Sequence, residues 1–334
     1  MHCFLNAFSA ALTTHRKKIL FGAALTLTAG LVTPLATAAE KLKVGYNIWV
    51  GSSAVFVAQE QGLFKQAGID VEFVPFKSPS DTIPALMGGH IDLALTTADN
   101  VVLINSQSTS NLKIIYATDT SNGADAVVSK KTIASLRDLK GKTIAVTEGE
   151  VNELLLLKAL DAAGMKTADV KIVNMDPDAA GAAFVAGKVD AAVTWEPWIS
   201  RAVSNGKGKV AFSSAQVPNL ILDVITVKPS VIRAKGKVIS AFLNAVNKGT
   251  ALLKSNPDLA IPLAAKWLEV TPPEVKNMLG GVKFYGNSDN AALFTDGTAA
   301  RSLDDISAFF RNRKTITKSI VGREMIDASL IPAK

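Results

Sequence analysis

The sequence predicts an α/β protein of two similar lobes joined by a two-crossing hinge, with C-terminal helices packed on lobe one. Three observations predict it. First, Gly187–Trp198 (G-K-V-D-A-A-V-T-W-E-P-W) has a double about a hundred residues earlier in Gly89–Asn100 (G-H-I-D-L-A-L-T-T-A-D-N). Gly89/Gly187, Ile91/Val189, Asp92/Asp190, Ala94/Ala192, Leu95/Val193 and Thr96/Thr194 fall in register. Each copy is a short run of small and apolar residues leading into a turn, as in a buried parallel strand. Second, a strand–helix–strand–helix–strand pattern leads through each copy, which implies two parallel-sheet units. Third, the chain beyond Val227 is mainly helical and must bury its apolar faces on a lobe already made.

Taken in order, Leu42–Tyr46 is a strand ending at Asn47-Ile48-Trp49-Val50-Gly51-Ser52-Ser53, and Ala54–Gln66 has helical spacing closed by Gly68. Val71–Val74 is a strand, and Ser80-Asp81 caps a helix through Leu86. Ile91–Leu95 is the third strand; its loop Thr96–Asn100 leads into a helix over Val101–Ser106, and Leu112–Ala117 is the fourth strand. The pattern restarts with strand Lys142–Val146, loop Thr147–Glu150 and helix Val151–Ala163, then strand Val170–Val173, helix Ala179–Ala186 and strand Val189–Val193. Leu220–Val227 reads as a returning strand. Val238–Lys254, Leu259–Leu268, Pro273–Leu279 and Leu303–Arg311 read as helices. The expected division is 1–38 as a signal peptide, 39–127 as the first part of lobe one, 128–223 as lobe two, and 224–334 as the return to lobe one.

The N-terminal segment is a targeting signal by its pattern. His15-Arg16-Lys17-Lys18 is positive, Ile19–Leu31 is an apolar run short for a bilayer, and Ala36-Thr37-Ala38 offers small residues for cleavage. Cleavage there makes the protein exported and periplasmic. Cys3 is the one cysteine and is lost with the signal, so no disulfide is expected. The signal carries three positive charges and no acid, so the net +7 of the whole chain becomes +4. The remaining basic residues are scattered, which argues against a nucleic-acid partner. His90 is the one histidine left, too few for a histidine metal centre or histidine-based catalysis. No catalytic residue, metal or cofactor is expected.

In open α/β sheets ligands lie beyond the carboxyl ends of the strands. That rule nominates Asn47–Ser53, Thr97–Asp99 and Thr118–Thr120 from lobe one, and Glu148–Asn152 and Trp195–Glu196 from lobe two, facing across a cleft. The candidate ligand-binding residues are Asn47, Trp49, Ser52, Ser53, Thr97, Asp99, Asp119, Glu148, Glu150, Trp195, Glu196 and Asp223. Ser52 and Ser53 at a helix start form an anion or polar-group site, or only cap the helix. Trp195, on a loop, is the better stacking candidate; Trp198 is assigned to packing. The acids Glu148, Glu150, Asp99, Asp119 and Glu196 make the cleft acidic in a net-basic protein, which with an indole suits a cationic or amine-bearing ligand. Asp92 and Asp190, placed inside strands, are assigned structural roles.

Val44-Gly45-Tyr46-Asn47, Ala58-Gln59-Glu60-Gln61-Gly62-Leu63-Phe64, Gly89-His90-Ile91-Asp92, Ala124-Asp125-Ala126-Val127-Val128 and Trp195-Glu196-Pro197-Trp198 carry a resemblance over nearly the whole mature chain. The chain resembles solute-binding proteins of the nitrate/taurine/sulfonate type of ABC importer, a group similar to pyrimidine-precursor synthases of thiamine biosynthesis. The resemblance implies a periplasmic binding protein fold, a monomer whose lobes close on a solute, and docking on a membrane permease driven by an ATPase. Sulfonate binders of that family present hydroxyl-rich residues where this chain has Thr147-Glu148-Gly149-Glu150. A small polar, nitrogen-containing solute is therefore expected. Taurine, alkanesulfonate or nitrate binding by the same fold is the alternative; a pyrimidine-precursor synthase-like enzyme is the alternative from another class.

Overall fold

The computed structural model describes residues 39–107 and 110–331, so the expected signal peptide lies outside the described residues. The strands are β1 (Glu40–Tyr46), β2 (Ile69–Pro75), β3 (Leu93–Thr97), β4 (Lys113–Ser121), β5 (Asp125–Lys130), β6 (Thr143–Val146), β7 (Lys171–Asn174), β8 (Ala191–Trp195), β9 (Gly208–Ser213), β10 (Leu222–Val227) and β11 (Val282–Phe284). The helices are α1 (Ser53–Glu60), α2 (Leu63–Gln66), α3 (Thr82–Gly88), α4 (Ala98–Gln107), α5 (Val151–Ala162), α6 (Pro177–Val185), α7 (Trp198–Ser204), α8 (Pro229–Ser255), α9 (Pro257–Leu268), α10 (Pro272–Leu279), α11 (Asn287–Thr295) and α12 (Thr298–Asn312).

Two sheets result, in the orders β11-β4-β10-β3-β1-β2 and β7-β6-β8-β5-β9. β2-β1-β3 and β7-β6-β8 are equivalent parallel trios. Beside each trio lies an antiparallel strand that has come from the other lobe: β10 pairs with β3, and β5 with β8. Purely parallel sheets were expected, and the sheets are mixed instead. The crossing strands enter from the opposite end, so they can only run antiparallel to the trio they join. Every residue of β3 and β8 is buried, with helices on both faces of each sheet, which is why these strands read as unbroken apolar runs.

The internal duplication extends to hydrogen bonds. Asp92 and Asp190 each lie one residue before their strand, not inside it. The Asp92 carboxylate accepts the Lys43 N–H at 2.9 Å and pairs with Lys235 at 2.8 Å; that of Asp190 accepts the Thr143 N–H at 3.1 Å and pairs with Lys130 at 2.7 Å. Each carboxylate thus ties the entry of its strand to the neighbouring one, at mid-strand in β1 and at the first residue of β6. The Thr96 hydroxyl donates to Pro79 O and the Thr194 hydroxyl to Pro177 O. Gly89 and Gly187 hold φ of 76° and 75°, the left-handed region that glycine enters without strain.

The C-terminal helices pack on lobe one. Ile239, Phe242, Leu243 and Val246 of α8 recur at helical spacing and bury against β1, β3 and α1; α12 places Leu303, Ile306 and Phe310 beside α4. A Cβ on Gly249 of α8 would overlap Ala54 O of α1, so this helix crossing admits no side chain there. Among the described residues no helix is long and apolar enough to cross a membrane.

Candidate functional site

The ends of the two trios and both crossing strands converge on one cavity of about 20 Å³, room for roughly one water. It is lined by Asn47, Trp49, Pro79 and Thr97 from lobe one, by Asp125, Ile221 and Asp223 on or beside the crossing strands, and by Glu150, Val151, Asn152 and Trp195 from lobe two. Because β5 and β10 run antiparallel to their trios, their starting ends stand at the carboxyl ends of the neighbouring strands. Asp125 is therefore opposite Trp195, and Asp223 opposite Thr97 on one side and Asp119 on the other. Thr97 and Trp195 follow the matched Thr96/Thr194 pair, so the two aspartates occupy equivalent places in the two lobes.

The indoles meet across the lobes. The Trp49 and Trp195 ring centroids are 6.2 Å apart at 55°. Trp49 Nε1 donates to Asp119 Oδ1 at 3.3 Å, and Trp195 Nε1 donates to Asp178 Oδ1 at 2.8 Å, so each ring is fixed by a carboxylate of its own lobe. Trp195 ends a strand and is buried, rather than lying on a free loop. Asp99 joins the lobes directly: its Oδ2 accepts the Val151 N–H at 3.0 Å, one of the open donors at the start of α5.

The carboxylates here are expensive to ionise. Among the described residues none of the ion pairs involves Asp99, Asp119, Asp125, Glu150 or Asp223. Burial, opposed by the Thr118, Asp223 and Trp49 hydrogen bonds, lifts Asp119 to about 6. Burial, then the charges of Asp119, Glu196 and Asp99, lifts Asp125 to about 7. Burial and the charge of Asp99 lift Glu150 to about 7 as well. Burial followed by the charges of Asp119 and Asp125 holds Asp223 well above the ordinary carboxylate range. Asp125 Oδ2, Asp223 Oδ2, Asp99 Oδ1 and Asn152 Nδ2 are buried with no hydrogen-bond partner. Buried polar atoms are nearly always satisfied, so a group of orphans beside one cavity makes it a candidate binding place.

The sequence model of the family described as NMT1/THI5 like matches residues 49–260. The taurine-binding periplasmic protein of Escherichia coli (strain K12) is 30% identical over 289 residues, covering 84% of this chain and 89% of that protein. The chain belongs to the NMT1/THI5-like family. The formylaminopyrimidine-binding protein of Halalkalibacterium halodurans is 26% identical over 211 residues, 62% of this chain and 64% of that protein. The crystal structure of the periplasmic aliphatic sulphonate binding protein SsuA from Escherichia coli superposes with a TM-score of 0.72 at 24% identity, over 87% of this chain and 99% of that one. These relatives are binding proteins; the same fold is shared by the desulfurization enzyme DSZB, which superposes with a TM-score of 0.66 at 15% identity.

Of the twelve nominated residues, the NMT1/THI5-like protein places Asn47, Trp49, Thr97, Glu150, Trp195 and Asp223 on the cavity wall, with Asp119 and Asp99 behind it. Four are turned to local tasks. The Ser53 hydroxyl donates to Val50 O at 2.5 Å, a helix-start bond, and Ser52 is buried at the same turn without lining the cavity. Glu196 accepts the Ser200 N–H and hydroxyl at 3.0 and 2.9 Å, capping α7. Glu148 is exposed, because left-handed Gly149 turns the chain between it and Glu150. Sequence reading did not single out Asp125, Asn152, Pro79, Val151 or Ile221; Val151 and Asn152 fall at or beside the end of the nominated Glu148–Asn152 stretch. A groove of about 930 Å³ between α5 and α12 is larger, but its charged residues Lys158, Asp161, Arg301 and Asp305 are exposed and hydrated. The small cavity, with its orphaned atoms, is the stronger candidate.

A Cβ added at Gly51 would overlap both the Trp49 indole nitrogen and the Asp119 carboxylate. Gly51→Ala is expected to destabilise the protein by about 1–3 kcal/mol, as overpacked sites do, read as a lower midpoint in thermal unfolding. An unchanged midpoint would show that the indole–carboxylate contact tolerates displacement.

Proposed function

We propose that this protein is the periplasmic solute-binding component of an ABC importer, and that it captures a small nitrogen-containing compound through a positively charged group. The observation that carries this reading is the pair of orphaned carboxylate oxygens, Asp125 Oδ2 and Asp223 Oδ2, beside two indoles on one cavity. A cationic nitrogen would satisfy both oxygens and offset the mutual repulsion of the acids, while an indole face supplies cation–π attraction. Asn47, Trp49, Thr97, Asp125, Glu150, Asn152, Trp195 and Asp223 are the proposed contacts. The formylaminopyrimidine-binding relative supports the same chemistry, since its ligand has an amino-substituted ring, whereas the taurine- and sulfonate-binding relatives support the alternative of a sulfonate ligand. A leader over 1–38 removed on export, and lobe limits of 39–127 with 224–334 for lobe one and 128–223 for lobe two, complete the reading. So does delivery of the solute by a monomer to a membrane permease and its ATPase.

The test is a thermal-shift screen against guanidinium, benzamidine and 4-amino-5-aminomethyl-2-methylpyrimidine in one panel, and taurine, nitrate, bicarbonate and methanesulfonate in the other. Ligand at a hundredfold its dissociation constant adds about 2.7 kcal/mol of stability. A shift confined to the first panel is expected. A shift with taurine, nitrate or methanesulfonate alone would overturn the cationic reading.

A further inference from the structure

The two crossing strands bring their first carboxylates to the same cavity, and a third carboxylate lies against one of them. Asp223 of β10 is in register with Asp119 of β4, while Asp125 of β5 reaches the cavity from the other lobe. Asp119 accepts hydrogen bonds from Trp49 and Thr118 and shares one with Asp223, whereas Asp125 Oδ2 and Asp223 Oδ2 receive none from an N–H or hydroxyl group. Facing this cluster are further acids, namely Asp99 from α4, Glu150 at the head of α5 and, after β8, Glu196. Tyr285, after β11, is pushed up to about 12 by burial and then by the Asp119 charge, so it stays neutral beside the cluster. No lysine or arginine ion pair reaches the three aspartates among the described residues.

Carboxylates packed this closely, away from water and without a cation, cannot all be ionised, as in paired acids sharing a single site. We propose that the Asp119–Asp223–Asp125 cluster holds a proton in the ligand-free protein and releases it to solvent when a cationic nitrogen enters, so that capture is coupled to proton release and weakens in acid. This rests on the cationic reading above. The charge balance is direct: the O–H bond of one carboxyl breaks, the proton leaves to buffer, and the incoming N–H group donates to the freed carboxylate. The pair titrates as a unit, so the proton belongs to the cluster rather than to one residue.

The sign follows from linkage. A bound cation favours the ionised carboxyls and lowers their pKa from the raised values of about 6 and about 7 at Asp119 and Asp125. Affinity is then complete above those values and is lost as pH falls through them, by about tenfold per pH unit for one proton. A site that exchanges a proton for its ligand also discriminates against neutral analogues, which cannot replace the positive charge that leaves.

The experiment measures dissociation constants of guanidinium and 4-amino-5-aminomethyl-2-methylpyrimidine by tryptophan fluorescence at pH 5.5, 6.5, 7.5 and 8.5. Expected is a slope of log affinity against pH near +1 at the acid end, flattening above about pH 7.5, and a reduced slope in Asp119→Asn whatever its affinity. Binding of either probe with a flat profile overturns the proton exchange and leaves the cationic reading standing. Binding of neither probe at any pH removes both. Should Asp119→Asn not fold, the profile of the unsubstituted protein decides alone.

Discussion

Asp125→Asn is expected to melt several degrees above the unsubstituted protein at pH 7.5, while losing affinity for amine-bearing ligands by tenfold or more. Its carboxyl is lifted from an ordinary 3.8 to about 7, first by burial and then by the charges of Asp119, Glu196 and Asp99. In the unfolded chain the group loses its proton near pH 4; in the folded protein it keeps the proton until near pH 7. Between those values the folded state binds more protons than the unfolded state, so stability falls as pH rises. A shift of about three units corresponds to on the order of 2–4 kcal/mol at pH 7.5, and a neutral amide of the same shape removes that cost. The sign gives a control. Below about pH 4 both states carry the proton, the penalty vanishes, and the advantage of Asn should shrink towards nothing. Melting curves of the two proteins at pH 4.5 and 7.5 check this, and an equal gap at both pH values would show that the carboxyl is not desolvated as described. Stability gained together with binding lost is what a strained functional site predicts.

The repeated half of the fold was legible in the sequence because its signals are local. Gly89 and Gly187 stop helices, the following five-residue runs are buried on both faces, and Asp92 and Asp190 mark the strand entries. The crossing strands were harder. Leu222–Val227 was recognisable as an apolar run, but its antiparallel direction follows from where the chain has been, which no local pattern records. Asp125–Lys130 was not recognised as a strand, although Ala124-Asp125-Ala126-Val127-Val128 carried the resemblance, and Asp125 was not nominated. Three nominated residues stand off the cavity for one reason. Glu148, Glu196 and Ser53 stand at strand-to-helix junctions, where the same side chains serve either a ligand or the helix start. Residue type cannot choose between these tasks; a two-residue turn at Gly149 or a bond to Ser200 does. The ion pair between Arg313 and Glu153 was invisible for a stronger reason, since 160 positions separate its partners.

That ion pair yields the second large effect. Glu153, fully buried in the first turn of α5, accepts the Gly149 N–H at 2.8 Å through Oε2, and its Oε1 lies 2.8 Å from the Arg313 guanidinium at the end of α12. One carboxylate therefore fixes the loop that places Glu150 on the cavity wall and also ties lobe two to the C-terminal helix of lobe one. Asp99 grips the same helix start from lobe one through the Val151 N–H. Arg313→Gln would leave Glu153 buried without its cation whenever the lobes are closed. Removing one partner of a fully buried pair costs about 3–5 kcal/mol; Arg313 is about a third exposed, so water lowers the figure to about 1–2 kcal/mol. If ligand is held in the closed form, as the proposed function requires, the cost should be read as a dissociation constant raised about 5–30-fold. The ligand-free midpoint should move less, because opening lets water reach Glu153. Adding Glu153→Gln should recover part of the affinity, since the uncompensated charge is then gone, and the double-mutant cycle isolates the coupling. Arg313→Gln binding the ligand as tightly as the parent would show that Asp99 and the indole contact hold the lobes together without the ion pair.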